Sequence, residues 1–397
     1  MKKTYIIAIT IITLFTSLSA YNLEGINGYG DFDYLNILNY NKSMIINSAS
    51  IFNLDQGLSL MIGCDYVLIN EKRSVKLFDS YDNYLADYTI YENSFPYYGL
   101  HNFEIAFRSK YVSAGLVYAP FRTNAYNYNL IEHDDYYVKT GEIRRYIQDN
   151  SNRVGLILGV TPLHWLGISG SYQNIQGREN HRYEHLFVDG NMEDTTIIDK
   201  YAFSGNLFNV GINIKPGDFL KASIFTRFRP KIRIQDDRTI DTLNLTYTNY
   251  VRYPYVFGGE IELKMPNKLP VTLIVDGNYT MWNNIQITTL DDSVYYDNTL
   301  NNSFYVKVQV EHKLSSNQII SFGTSVQQSY IEADLLIPSY IIAYTYHSNN
   351  NLNLTGTFRY VDYGIPCTVL DENCTENSNV NFSNFYFNII LSKSVSF

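Results

Sequence analysis

Apolar and polar residues alternate along much of the chain with a period of two. Between residues 304 and 311 every even position is Phe or Val, and the odd positions are Tyr, Lys, Gln and Glu. The same alternation continues to the last residue, with one side formed by Phe385, Phe387, Ile389, Leu391, Val395 and Phe397 and the other by Asn384, Asn388, Ser392, Ser394 and Ser396. A period of two is that of a β-strand with one apolar and one polar face. The pattern predicts an all-β protein.

Short and long connections alternate between these strands. The short turns are at 109–110, 162–164, 215–218, 265–269, 314–317 and 348–350. The long polar connections are at about 71–97, 122–151, 177–200, 233–250, 288–302 and 364–382, with a shorter one at 332–336. This asymmetry is typical of a transmembrane antiparallel β-barrel of the outer membrane, with its long loops outside the cell. These turns and connections delimit about fourteen predicted strands between Gln56 and Phe397, with both ends in the periplasm.

The N-terminus has the features of a secretion signal. Lys2 and Lys3 are followed by an apolar stretch and by small residues ending at Ala20, so 1–20 is predicted to be a signal peptide. Residues 21–55 then precede the barrel, 56–397. A barrel of this circumference is wider than its own side chains fill, so we expect 21–55 to fold inward as a plug. The alternative is a loose periplasmic tail.

Composition supports a bacterial outer-membrane location. The 397 residues include 37 Tyr, the aromatic content is 15%, and only 17% of residues are charged. Tyrosine is favoured at a bilayer interface, where its ring meets lipid and its hydroxyl meets water. Outer-membrane lipids are therefore expected partners. The formal charge of −9 argues against a nucleic-acid partner.

The sequence offers little for catalysis or metal binding. Residues 181–185 fit an H-x-x-E-H pattern, but they lie between predicted strands and not on a helix that would bring both histidines to one metal. No convincing inward-facing Ser/His pair is expected on adjacent strands, which argues against an enzyme such as a lipase. We predict no enzyme, no cofactor and no metal. Cys367 and Cys374 lie close together in one polar loop and are a possible disulfide; unpaired thiols are the alternative.

Charged residues are predicted to face the lumen on three consecutive strands. The alternation between 220 and 228 places one stripe of cations inside, formed by Lys221, Arg227, Arg229, Lys231 and Arg233. The next two strands place Glu260, Glu262 and Asp276 inward. Trp282, six residues after Asp276, is also a candidate lumen residue. Two interpretations stay open. The acids neutralise the cations in a ladder of salt bridges, or some cations bind an anionic headgroup, which arginine can grip with two hydrogen bonds.

Several stretches resemble the FadL-type outer-membrane transporters of long-chain fatty acids and other hydrophobic compounds. Gly115 to Phe121, GLVYAPF, is similar to that family's third strand. The segments 253–259, 264–266 and 276–282 are similar to its Pro-then-Gly strand, basic-Pro turn and D-x-x-Y-T-x-W strand. Asn47, Ser48 and Ala49 lie where the family has Asn-Pro-Ala at the end of its plug. The match runs from about residue 44 to 290, and Ser48 departs from the expected proline.

The resemblance implies an outer-membrane channel for passive uptake of hydrophobic or amphipathic small molecules such as long-chain fatty acids. It also implies a plug ending at Asn47 to Ala49 and a lateral gate near Gly115. The C-terminal Phe397 is the expected contact for the barrel-assembly machinery. The alternative function is a non-selective porin or a secretion-associated structural barrel.

Overall fold

The protein is a closed antiparallel β-barrel of fourteen strands in a computed structural model. The predicted fold class is thereby confirmed. The residues described are 44, 46–81, 83–122, 125–133, 139–188, 194–240, 243–265, 270–289, 294–296, 300–330, 333–348, 350–366 and 378–395. The predicted signal peptide and most of the predicted plug lie outside these residues.

Nineteen strand segments build the fourteen strands of the wall. They are β1 (Gly57–Phe78), β2 (Tyr84–Arg108), β3 (Val112–Arg122), β4 (Ala125–His133), β5 (Lys139–Leu163), β6 (Leu166–Phe187), β7 (Thr195–Ile214), β8 (Leu220–Arg227), β9 (Lys231–Ile240), β10 (Leu243–Arg252), β11 (Val256–Lys264), β12 (Val271–Thr280), β13 (Gln286–Thr289), β14 (Val294–Tyr296), β15 (Ser303–Ser315), β16 (Gln318–Gln328), β17 (Leu336–His347), β18 (Leu352–Pro366) and β19 (Ser378–Val395). Five strands are each made of two segments: β3 with β4, β8 with β9, β10 with β11, β12 with β13, and β14 with β15.

The first and last strands close the barrel. β1 pairs with β19 from Leu58 opposite Val395 to Val75 opposite Ser378. The described start and end of the barrel therefore lie at one rim. The predicted short turns all join strands at this rim. We call it the lower rim and the opposite one the upper rim.

The long connections differ from their prediction. β1 extends to Phe78 and β2 begins at Tyr84, so most of 71–97 is paired strand. Similarly, β5 and β6 pair across nearly their whole length, through 177–187. Backbone hydrogen bonds form the ladder whatever the side chains are, so strands continue above the region where their faces alternate in polarity. A polar composition was therefore an unreliable sign of a loop.

An apolar band surrounds the outer surface. Every one of the fourteen strands contributes at least one large exposed apolar residue to it: Ile62, Phe107, Leu116, Leu158, Ile168, Val210, Ile224, Ile261, Tyr279, Val308, Phe322, Ile342, Leu354 and Ile389. Neighbouring positions along the strands point into the lumen and are mostly buried, as the alternation of the last strands predicted. The described residues contain no helix with the length and apolarity needed to cross a membrane.

Three neighbouring strands are interrupted at the same height, just above the apolar band. The breaks fall between β8 and β9, between β11 and β10, and between β12 and β13, where a 3-10 helix, Trp282–Asn284, interrupts the strand. Pro230 and Pro254 lie in the first two breaks and lack the N–H that a ladder requires. The interruptions insert extra residues, which change the faces that side chains occupy above them.

Candidate ligand channel

The end of the N-terminal segment is buried in the lumen near the lower rim. Asn47 caps the 3-10 helix Ser48–Asn53, and its Oδ1 accepts a hydrogen bond from the Ala49 N–H at 3.0 Å. Its Nδ2 donates to Ser223 Oγ on β8 at 2.9 Å. Ser48 Oγ accepts a 2.9 Å bond from Ser169 Oγ on β6. The residues predicted to end the plug are thus bonded to the barrel wall.

Wall glycines make room for this helix. A Cβ added to Gly167 would lie 2.7 Å from the ring of Phe52, and one added to Gly211 would lie 2.9 Å from both Cβ and N of Ala49. Side chains at these positions would collide with the helix. Because strand glycines pack nothing themselves, their value here is the close approach that they permit. The helix therefore occupies a seat shaped for it in the wall.

An apolar cluster surrounds the seated helix. It combines residues of the N-terminal segment with inward side chains of five strands, and we call it the lower cluster: Met44, Ile46, Ala49, Ile51, Phe52, Ala106, Val117, Ala119, Ile157, Phe225 and Val256. The predicted gate residue Gly115 faces it, with its Cβ position 3.6 Å from Ile51 Cδ1. Pairing of β3 is regular at Gly115 and shifts only between Pro120 and Arg122. The irregular point of the third strand thus lies above Gly115.

The predicted acids contact lysines more closely than arginines. Lys221 Nζ lies 2.8 Å from Glu262 Oε2, and Lys307 Nζ lies 2.7 Å from Asp276 Oδ2. The second pair is buried, with side-chain exposures of 2% and 0%. Glu260 is also buried and lies opposite Asp276 in the ladder. The salt-bridge interpretation describes Glu262 and Asp276, with Lys307 of β15 as a partner that the site prediction omitted.

The predicted stripe of cations divides at the break between β8 and β9. Arg227 is buried in the lumen opposite Asn209. From Asn209 opposite Arg227 to Asn206 opposite Lys231, β7 advances three residues and its neighbour four. That extra residue exchanges the two faces. Lys231 and Arg233 are consequently exposed on the outer surface, and their predicted lumen position is wrong.

Arg229 lies within this break and holds it to the neighbouring strands. Its Nη2 donates to the carbonyl oxygen of Asn284, in the 3-10 helix of the third interruption. Its guanidinium also lies 5.9 Å from the ring centroid of Tyr255. Arg229 therefore has a structural contact across the interrupted region, whereas Arg227 lies two residues lower and its side chain is buried in the lumen.

A second apolar cluster fills the lumen at the height of the interruptions. Trp282 stacks on Tyr330 with ring centroids 4.5 Å apart, and its Nε1 donates to Ser303 Oγ at 3.1 Å. We call this group the upper cluster: Phe121, Ile175, Tyr201, Phe203, Leu207, Ile232, Ile234, Val251, Ile285, Leu300 and Tyr330, with Tyr253 and Trp282 against it. Sequence reasoning found only Trp282. The predicted inward position of Lys231 and Arg233 implied an outward position for Ile232 and Ile234, whereas both are buried in the lumen. Ile285, Leu300 and Tyr330 come from connections that bend inward.

Ionisable residues line the lumen directly above the upper cluster. Arg238 binds Asp199 with two hydrogen bonds of 2.6 and 2.8 Å, and His181 Nε2 lies 2.7 Å from Glu179 Oε1. Asp236 faces Tyr201 across the ladder, above the apolar band. Burial, with the carboxylate of Asp199 nearby, raises the pKa of Asp236 from 3.8 to about 7. These residues form a polar rim over an apolar interior.

Two further predictions concern metal and disulfide chemistry. His181 contacts Glu179 and the ring of Tyr201, while His185 lies against Phe187. In the part of the chain that the structure describes, no group of three or more His, Cys, Asp or Glu is arranged to hold a metal ion. Cys367 and Cys374 lie outside the described residues, so their pairing stays a prediction. Cys64 is exposed and unpaired on β1.

Neither a protein-family model nor a curated protein sequence matches the chain. Solved structures do match it. A FadL homologue of Pseudomonas aeruginosa superimposes with a TM-score of 0.60 at 9% identity, covering 88% of this chain and 93% of that one. The fold is that of the FadL-type channels. The toluene transporter TodX of P. putida matches with a TM-score of 0.59 at 11% identity over 89% and 94% of the two chains.

The toluene transporter TbuX of Ralstonia pickettii gives a similar result, with a TM-score of 0.58 at 12% identity over 88% and 92% of the chains. At these identities the likeness concerns the FadL-type fold alone.

Proposed function

We propose that this protein is an outer-membrane channel for passive uptake of hydrophobic or amphipathic small molecules. The observation that carries the proposal is the lumen itself, which holds two apolar clusters where a water-filled porin has a polar interior. A molecule moving inward passes from the polar rim to the upper cluster and then to the lower cluster. Contact with the apolar side chains of both clusters offsets the contact with lipid or carrier micelles that the molecule loses.

The compared structures support the class of cargo. Two of them are toluene transporters, so small aromatic hydrocarbons are suitable candidates, whereas long-chain fatty acids are the cargo that the resemblance of the sequence motifs implies. A channel for such molecules needs no catalytic group. The proposal therefore assigns no enzymatic role and no cofactor.

The N-terminal segment is the proposed hatch of the channel. In this proposal residues 21–55 close the lumen, and the hydrogen bonds of Asn47 and Ser48 to the wall fix the end of the segment next to Ala49. For a ligand to pass, the helix must move or the ligand must leave sideways through the wall. The third strand is the proposed exit, because its pairing shifts between Pro120 and Arg122 above Gly115. We further propose that Phe397 is bound by the barrel-assembly machinery during folding.

Arg227 is the proposed contact for an anionic headgroup. Its side chain is buried in the lumen, and the residue lies opposite Val256 of the lower cluster in the ladder and two positions above Phe225. A carboxylate at this level would place its apolar tail along one of the clusters. Arginine suits this role because it can donate two parallel hydrogen bonds to a carboxylate.

The test measures uptake in Gram-negative cells that lack a channel of this type. Expression of the protein should raise uptake of labelled oleate and labelled toluene above the background. Arg227→Gln should lower oleate uptake and leave toluene uptake unchanged, whereas the control Trp165→Ala, at the lower rim, should change neither. Heat-dependent migration on gels verifies that each variant is folded. Uptake equal to background for both compounds would refute the proposal.

A further inference from the structure

Three cations cluster on the outer surface just above the apolar band. Lys231 and Arg233 follow one another on the outward face of β9, and Arg252 on β10 lies directly opposite Lys231 in the ladder. All three are exposed. We call them the outer basic patch. Directly opposite like charges in a sheet are destabilising, so this arrangement has a cost that a bound anion would remove.

The surroundings of the patch contain polar groups but little negative charge. Asn206 on β7 and Gln286 on β13 flank Lys231 and Arg252 in the same row of the ladder. Lys231 Nζ also lies 4.2 Å from the ring centroid of Tyr250. Among the described residues, no carboxylate forms a salt bridge with any of the three cations. Along β9 the next outward acid is Asp237, four residues beyond Arg233.

The height of the patch relative to the apolar band indicates which layer of the membrane it contacts. On the same strand the last outward apolar residue below it is Phe228, which is exposed and lies beside the exposed Phe208. Because β7 advances only two residues from Phe208 to Asn206, which lies opposite Lys231, Lys231 lies roughly 7 Å farther along the strand than Phe228 at about 3.3 Å per residue. This is the depth at which lipid headgroups begin once the hydrocarbon ends.

We infer that Lys231, Arg233 and Arg252 bind the phosphate of an anionic lipid headgroup at the upper edge of the apolar band. The inference rests on the membrane location proposed above. Three cations and two flanking amides supply both charge and hydrogen-bond donors for phosphate oxygens. Clusters of Lys and Arg next to a membrane-embedded surface bind such headgroups through this combination.

The test compares lipid retention by the wild-type protein and by neutralised variants. The folded protein is reconstituted in vesicles of phosphatidylcholine with one fifth phosphatidylglycerol and extracted in a neutral detergent. Native mass spectrometry then counts the bound phosphatidylglycerol. The variant Lys231→Gln/Arg233→Gln/Arg252→Gln should lose retention, by roughly fivefold for each charge removed. Retention by the triple variant equal to wild type would overturn the inference.

The matched control is Lys200→Gln. Lys200 is an exposed outward cation on the adjacent β7, and it lies opposite Asp237 in the ladder, so its charge has an acid nearby. This variant should retain the lipid as the wild type does. An equal loss in Lys200→Gln would contradict a specific patch and would indicate a general effect of surface charge.

Inorganic phosphate separates a lipid from a free anion. Phosphate at 10 mM should leave the retained lipid in place, and calorimetry in detergent should detect no phosphate binding. Displacement of the lipid by phosphate would overturn the assignment to a headgroup. If the wild-type protein fails to insert into vesicles, the membrane location itself is wrong, whereas insertion without lipid retention refutes only the patch.

Discussion

The buried pair of Lys307 and Asp276 should be essential for the stability of the barrel. Its Nζ and Oδ2 atoms are 2.7 Å apart, with 2% and 0% of the side chains exposed. In Lys307→Met the Asp276 carboxylate keeps its buried position but loses its cation, and Glu260 still lies opposite it in the ladder. Breaking a buried ion pair by removing one partner costs about 3–5 kcal/mol. We expect a loss of that size in the free energy of unfolding.

Two variants make this prediction specific. Lys221→Met breaks the pair with Glu262, whose side chains are 24% and 14% exposed, so water compensates and the loss should be about 1 kcal/mol or less. The double variant Lys307→Met/Asp276→Leu removes both buried charges and should recover most of the stability lost by Lys307→Met, because apolar residues can replace a buried pair at little cost.

Urea titration of the barrel folded in lipid vesicles measures all three variants. Fluorescence of Trp165 and Trp282 follows the unfolding, and the free energy is obtained by linear extrapolation. Equal losses for Lys307→Met and Lys221→Met would refute the argument from burial. A double variant as unstable as Lys307→Met alone would show that the uncompensated carboxylate is not the cause.

Three further predictions follow from the lumen and the outer surface. Asp236 has a raised pKa, so its ionised form destabilises the fold; stability should fall as the pH rises from about 4 to about 7, and Asp236→Asn should flatten this dependence in thermal melts. Gly211→Val should displace the helix at Ala49 while the wall stays intact, which raises ion conductance in planar bilayers; unchanged conductance contradicts the close fit. Cys64 is exposed on the outer face of β1, so a fluorophore attached there should be quenched by brominated lipid and not by aqueous iodide.

The barrel could be predicted from the sequence because alternation has one physical cause along each strand. On β15 and β19 large apolar residues such as Val308 and Ile389 face outward within the apolar band, whereas polar residues such as Lys307, Asn384 and Asn388 face the lumen. Strand count followed from the short turns, which depend on local sequence. Closure followed as well, because an unpaired edge in lipid leaves backbone groups without hydrogen bonds.

The upper part of the channel could not be predicted because the period breaks there. One extra residue near Pro230 exchanges the faces of β9. The alternation below such a bulge therefore does not predict which residues face the lumen above it. Ile232 and Ile234 were consequently placed outside and Lys231 inside. The proline itself was the available signal, since a proline within a strand marks an edge or a bulge.

The buried ionic contacts also depend on the register between neighbouring strands. Glu262 and Lys221 are on adjacent strands and were both expected in the lumen, but Lys307 reaches Asp276 from a strand that the prediction of charged sites did not include. Choosing partners requires the register between strands, which is set by the bulges and turns together. Sequence alone identified the lumen position of Lys221, Glu262 and Asp276 and not which groups pair.

The most direct test of the proposed channel is a vesicle experiment with two tracers. Protein reconstituted in lipid vesicles is offered labelled oleate bound to albumin inside and outside, and labelled sucrose, under identical conditions. The account predicts that the protein speeds transfer of oleate into the vesicle interior well above protein-free vesicles while sucrose stays excluded. Rapid sucrose entry without faster oleate transfer would contradict it and would identify a porin.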